Sequence, residues 1–450
     1  MKRLIFAAIL AALAATRGAQ ADEAGIQAGA AAANLVATDE MVIGGGIGPG
    51  RVKGQEGELR ATAVVIRDPK GARVALIECD VIVLTRDLLD AAARRIEKET
   101  GIPFENILIN ATHTHHGPTT VTVHGVTREE EYTKQVGDKV VEAAVAANAR
   151  LTPVTMRFRL GEESSVGQNS RLLLKNGMIN WIGILTDAVR PTGPFDPDLP
   201  VWAFQKPDGS YEAILFNHST HTIGTVKPGV RSPSFYGLAA QELEKEKGGT
   251  VLFFEGASGS THNIGLTTPE MIVRMKQAIL DALARSSEHR VSRVKGIRSE
   301  FPIKVRHFDE AKDAKAVTDY LHYRFKDDTQ AEKSIADVFA ASRKVLASHQ
   351  GETRKTWIQA IQIGDTAVVG VPAEFFTVLG QEIKRRSPFR HTYIFELAND
   401  YIGYVGDRKA YDLGGYQVWT GLHSFVEPGT GEKIVDEAVR LLDVLHAEAR

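Results

Sequence analysis

Asn106-Ile107-Leu108-Ile109-Asn110-Ala111-Thr112-His113-Thr114-His115-His116-Gly117-Pro118 begins as a short apolar run and ends as a dense polar one. A run of this length and composition reads as a buried strand. The carboxyl end of such a strand is where α/β folds usually bind ligands. Working outward, residues 60–66 and 73–78 read as strands about the turn Asp68-Pro69-Lys70-Gly71. Residues 86–100 carry Leu88, Leu89, Ala92 and Ile96 at helical spacing and stop before Gly101. Helical patterning recurs at 128–147, 269–286 and 435–447, and strand patterning at 250–254, 358–363 and 367–371. Such alternation predicts an α/β fold of mixed β-sheets flanked by helices. Residues 308–350 are rich in Ala, Lys, Asp and Glu, with no Gly or Pro from Asp309 to His349. They read as one or two surface helices inserted between sheet regions.

Two further histidine clusters repeat the pattern of the first. Asn217-His218-Ser219-Thr220-His221-Thr222 follows the strand-like 213–216, and His262 stands in Gly256-Ala257-Ser258-Gly259-Ser260-Thr261-His262-Asn263 after the strand at 250–254. Imidazole is the commonest metal ligand, and a catalytic zinc accepts His nitrogen and carboxylate oxygen while keeping one position open. A single His-x-His is also common in surface loops and in satisfied cores. Three clusters, each closing an apolar strand, favour a metal centre with spare histidines for proton transfer. Glu374, in Val371-Pro372-Ala373-Glu374-Phe375, reads by itself as a helix N-terminal acid. Tyr401 and Tyr404, after the strand-like 393–395, read by themselves as core or rim residues.

The order of these segments resembles the neutral/alkaline, non-lysosomal ceramidase family. The matching pieces are Ala111 through Pro118, Asn169-Ser170-Arg171, Asp196-Pro197-Asp198, Asn217 through His221, Gly256 through Asn263, Pro372-Ala373-Glu374, Asn399 through Tyr404, and Gly414-Gly415-Tyr416. They span the chain from about Val42 to the end. The resemblance implies a neutral-ceramidase-like catalytic domain over residues 22–450 with zinc as its metal. It implies zinc ligands at His113, His221, Glu374 and Tyr404, with His218 as the alternative to His221. It implies an active-site histidine at His115, an active-site tyrosine at Tyr416 and a basic cleft residue at Arg171. One departure is local: members that cleave ceramide carry a serine in Gly-Asp-x-Ser-Pro-Asn, whereas Gly259-Ser260-Thr261-His262-Asn263 puts Thr261 or His262 there, depending on register. His262 then becomes a candidate acid or base. The chain also stops about where the family's catalytic domain stops. Both departures direct the expectation away from a sphingolipid and toward a soluble, polar substrate.

The remaining features bound the function. Lys+Arg and Asp+Glu number 54 and 56 in 450 residues, for a formal net charge of -2. Near-neutrality gives no electrostatic reason to bind nucleic acid or anionic lipid. Lys2-Arg3, the apolar run 4–15 and Ala19-Gln20-Ala21 form a secretory-signal pattern over residues 1–21, with cleavage before Asp22 and a periplasmic or secreted destination. No other segment approaches the length of a membrane span, so no stable membrane insertion is expected. Cys79 is the one cysteine; it excludes an intramolecular disulfide and reads as a buried thiol. The expected activity is zinc-dependent hydrolysis of an amide or other acyl bond in a small-molecule or N-acyl substrate. Two rivals keep the same residues: a metal-dependent lyase of a uronate-containing glycan, and a non-catalytic zinc-stabilised binding protein. Oligomeric state is unknown from the sequence.

Overall fold

The computed structural model describes residues 25–326 and 328–449; the signal pattern at 1–21 lies outside the described residues. Three mixed sheets are built on one recurring plan. In the first, Ile107–Ala111, Arg73–Cys79, Arg60–Arg67, Gln27–Asn34 and Thr152–Pro153 lie side by side. In the second the order is Thr250–Glu255, Tyr211–His218, Asp198–Gln205, Thr155–Glu162 and Ser287–Glu288. The third runs Val294–Lys304, Thr353–Ile363, Thr366–Val371 and His391–Glu396.

Each sheet is antiparallel except at one edge, where a single parallel pair is made through a helix. Arg73–Cys79 pairs with Ile107–Ala111 across helix Arg86–Thr100. Tyr211–His218 pairs with Thr250–Glu255 across helix Ser234–Lys247. Thr366–Val371 pairs with His391–Glu396 across helix Thr377–Arg386. Antiparallel neighbours need only a hairpin, while parallel neighbours need a long crossover, usually a helix.

Strand alternation shows how the sheets share a core. In Arg60–Arg67, Ala61, Ala63 and Val65 face helices Arg86–Thr100 and Glu130–Ala149. Val64 and Ile66 face the other way, into a cluster with Leu108, Leu215, Leu252, Val368 and Phe395 from all three sheets. Successive side chains of a strand take opposite faces, so each sheet packs on its own helices and on the common centre. Helix Thr268–Ala284 covers the second sheet, and its start is fixed by a reciprocal Thr267–Glu270 cap. The segment 308–350 contains two helices, Glu310–Phe325 and Thr329–Leu346, each begun by an aspartate cap. They pack on the helical side of the third sheet through Val317, Leu321 and Phe339. No helix among the described residues is long and apolar enough to cross a membrane.

Candidate metal centre

The polar segments leaving the carboxyl ends of the parallel pairs meet at one point. Ile107–Ala111 delivers His113 and His115, Tyr211–His218 delivers His221, and Thr366–Val371 delivers Glu374. Glu374–Phe375 pairs in parallel with Tyr404–Val405, which sets Tyr404 directly beside Glu374. His113, His221, Glu374 and Tyr404 are all buried, and His115 is half-buried.

The hydrogen bonds fix how each ring faces. The Nδ1 atoms of His113, His115 and His221 lie 2.7, 3.1 and 3.0 Å from the carbonyl oxygens of Ile82, Gly45 and Ser258. A carbonyl only accepts, so each Nδ1 carries the proton and each Nε2 presents a lone pair. Those lone pairs converge: His113 Nε2 and His115 Nε2 are 3.2 Å apart. His113 Nε2 and His221 Nε2 stand 3.3 and 3.2 Å from one Glu374 oxygen. The Tyr404 hydroxyl is 2.9 Å from His221 Nε2. The other Glu374 oxygen accepts the Tyr401 hydroxyl at 2.9 Å. Lone pairs aimed at each other repel, and a cation placed among them removes the repulsion. The three histidines form a donor set that fits a metal ion.

The electrostatics agree with a charged acid among the rings. Burial alone would raise the Glu374 carboxyl, but the His113 and His221 rings hold it well below the usual carboxylate range. Burial, then the neighbouring rings, keeps His115 and His262 well below the ordinary imidazole value, and burial lowers His221 too. Burial pushes the Tyr404 phenol well up, and the Glu374 charge adds to it. Metal binding requires deprotonated ligands, and unprotonated imidazole is the binding form.

Local backbone serves the cluster. His113 itself sits at φ 62, a conformation a non-glycine residue adopts at a cost of order 1–3 kcal/mol and mainly at functional sites. Gly45, at φ +93, supplies the carbonyl to His115, and a Cβ there would lie 2.6 Å from the His115 ring. A Cβ on Gly259 would lie 2.3 Å from the Glu374 carbonyl oxygen, so only glycine lets these two backbones touch.

A small space of about 20 Å³ adjoins the cluster, enough for a water-sized species. One wall is polar: His113, His115, Glu374, Tyr401, Tyr404, Tyr416 and His124. The other is apolar, from Ile82, Val83, Val121 and Val123. Tyr416 lies 2.8 Å through its hydroxyl from His124 Nε2 and stacks on Trp181 at 4.4 Å and 7°. Trp181 rides on the loop between Leu172–Leu174 and Ala188–Pro191. That loop is tied to helix Glu310–Phe325: Trp181 and Ile182 both donate backbone N–H to the Tyr320 hydroxyl, at 2.7 and 3.0 Å.

Other candidates fall differently. Arg171 does not line this space. Its guanidinium is buried and donates to Gln417 Oε1, Gly414 O and Ala410 O, the loop that carries Tyr416. It borders only a separate surface depression beside Phe376 and Asp407. Those hydrogen bonds brace the segment that carries Tyr416. His262 stacks on His221 at 4.1 Å and 22°, without lining the space. Thr261 donates its hydroxyl to Ser219 O at 2.7 Å, so neither register puts a free hydroxyl at the metal point. His218 has both ring nitrogens engaged, with the Tyr236 hydroxyl and Glu163 O, and offers nothing to the cluster. Tyr401, His124 and Trp181 were not anticipated. Tyr401 stands three residues before Tyr404 in an already suspect segment, which is a usable signal. His124 and Trp181 lie in loops whose sequence carries none.

No protein-family model matches the chain, and no curated protein matches its sequence. Solved structures do match. Neutral ceramidase from Pseudomonas aeruginosa superposes with TM-score 0.74 at 18% identity, over 95% of this chain and 75% of that one. A ceramidase complexed with C2 gives 0.72 at 17% identity, over 94% and 76%. The fold is that of the neutral ceramidases. At such identity the likeness speaks for the ceramidase architecture, and the chemistry of this chain rests on its own residues.

Proposed function

We propose that this protein is an exported zinc-dependent hydrolase that cleaves an amide or other acyl bond of a soluble, polar small molecule. One observation carries the reading: three imidazoles, each locked through Nδ1 to a backbone carbonyl, aim their Nε2 atoms at the point reached by Glu374 and Tyr404. His113, His221, Glu374 and Tyr404 are the residues assigned to hold the ion. The chemistry such an ion supplies is polarisation of an acyl carbonyl and acidification of water. The likeness to enzymes described as ceramidases supports hydrolysis of an amide.

The chain's own residues have separable tasks. His115 is the least buried of the three rings, and its neutral Nε2 is placed to take a proton on the open side. Tyr416 borders the same space, and its hydroxyl is placed to meet negative charge developing on a substrate oxygen, while the Tyr401 proton is held by Glu374. The apolar residues Ile82, Val83, Val121 and Val123 border the same space and keep its surroundings dry. His262, stacked on His221, is placed to influence that ligand's ring. No serine hydroxyl is free in the Ser258–Ser260 loop: Ser258 donates to Glu396 and Ser260 to Thr377. Its engagement favours water over a serine-based variant of the chemistry.

The test is to incubate zinc-loaded protein with pooled N-acyl amino acids, N-acyl lipids and acidic glycans and read the products by mass spectrometry. Products that together gain one water are expected, and a His113→Ala, His221→Ala double variant should hold no zinc and yield none. Cleavage without that gain identifies a lyase. Equal zinc content in wild type and double variant sinks the assignment of ligands.

A further inference from the structure

We propose that Glu396 is a positioning residue that locks two metal ligands from different sheets into one geometry, an inference that rests on the metal reading above. Glu396 ends the edge strand His391–Glu396 of the third sheet and is fully buried. Its carboxylate accepts three hydrogen bonds. One oxygen takes the Ser258 hydroxyl at 2.7 Å. The other takes the Ser258 backbone N–H at 3.0 Å and the Phe375 N–H at 2.7 Å.

Each of these partners touches a ligand. Ser258 offers its carbonyl to His221 Nδ1 at 3.0 Å, and its hydroxyl oxygen lies 3.3 Å from the same nitrogen. Because the Ser258 proton points at Glu396, the lone pair of that hydroxyl is left for His221. Phe375 is the residue after Glu374, so a hydrogen bond to its N–H fixes the peptide from which the Glu374 side chain departs. One carboxylate thereby sets the ring plane of His221 and the root of Glu374, whose side chains stand 3.2 Å apart at the cluster. Gly259 N–H donating to Phe375 O at 3.0 Å closes the ring of contacts between the two loops. Glu255, a neighbouring buried acid, accepts the Thr222 hydroxyl at 2.7 Å and leaves Oε1 without a recorded hydrogen-bond partner among the described residues.

Groups that orient ligands typically change metal affinity by about 10- to 100-fold when removed. Zinc affinity of full-length wild type, E396L, E396Q and S258A is measured by competition with a chromophoric chelator, and the visible spectrum of each cobalt-substituted protein is recorded. E396L is expected to bind zinc about 10- to 100-fold more weakly, with displaced cobalt bands. E396Q keeps an oxygen for the two backbone N–H groups and should recover most of the affinity. S258A, which removes only the hydroxyl link, should fall between, and it decides the matter if E396L does not fold. Wild-type affinity and cobalt spectrum in E396L, or in S258A where E396L is unfolded, overturn the proposal. So does an E396L whose apo-protein melts earlier while zinc affinity is unchanged. Wild type that takes up neither zinc nor cobalt overturns the metal reading and this inference with it.

Discussion

Two sides of the site, a strand-end wall and a loop wall, are built by different means. On the strand-end wall, His113, His115 and His221 are anchored to main-chain carbonyls, and Glu374 and Tyr404 stand on paired two-residue strands. On the loop wall, Tyr416, His124 and Trp181 are held largely by one another, through a hydroxyl–imidazole contact and a ring stack. The anchoring carbonyls of Ile82, Gly45 and Ser258 stand in loops, yet each fixes its ring by a main-chain hydrogen bond and not by another ring. Rings stacked on rings shift when a loop shifts. The contrast divides the labour: the strand-end wall is suited to fixed chemistry and the loop wall to admitting and selecting substrate.

The largest expected effect tests whether the strand-end wall is closed by an ion. Metal present at about 100 times its dissociation constant stabilises by roughly 2.7 kcal/mol. Stripping with a strong chelator should therefore lower the melting temperature by several degrees, with recovery on adding zinc, as calorimetry would record. An unchanged melting curve would make this wall no different from its opposite. Next, Gly45→Ala puts a Cβ against the His115 ring at φ +93, for a loss of about 1–3 kcal/mol in denaturant unfolding, together with weaker zinc binding.

Trp181→Ala addresses the loop wall. It deletes a stack worth about 0.5–1.5 kcal/mol beyond burial. It should raise KM several-fold while leaving zinc content intact. Loss of zinc in that variant would erase the distinction between the walls. A further effect is electrostatic. Burial drops His124 from the ordinary 6.5 to about 4, so between those values the unfolded chain binds the proton and the folded one does not. Stability contributed by neutral His124 is present above pH 6.5 and is lost as pH falls toward 4. His124→Gln should flatten that part of a plot of urea midpoint against pH.

The strand-end wall was largely legible in the sequence, and the loop wall was not. Histidines just past apolar strands, and Glu374 just past another, are local patterns that survive folding. Helix Arg86–Thr100 was readable because its periodicity and its stop at Gly101 are both local. Gln27–Asn34 was not: its run of alanines has no strand propensity, and it becomes a strand by pairing with Arg60–Arg67 along its whole length. The pair Gln168–Asn169 and Thr261–His262 likewise exists only through tertiary contact. For Arg171 a motif gives a residue type and a position but not the direction of its guanidinium. Glu396 carried a usable signal, an acid at the end of an apolar strand, like Glu255 at the end of Thr250–Glu255. The threefold use of a parallel edge pair leaves no sequence repeat, since each crossover differs in length and composition.

That threefold plan has a bearing on the life of the chain. The donor groups lie as far apart as His113 and Tyr404, one portion on each sheet, so no stretch emerging early carries a complete grip on a cation. A polypeptide halted before Glu374 owns every histidine of the cluster and still lacks its acid and its phenol. On the metal reading proposed above, capture of the ion by the full donor set is an end-of-assembly event.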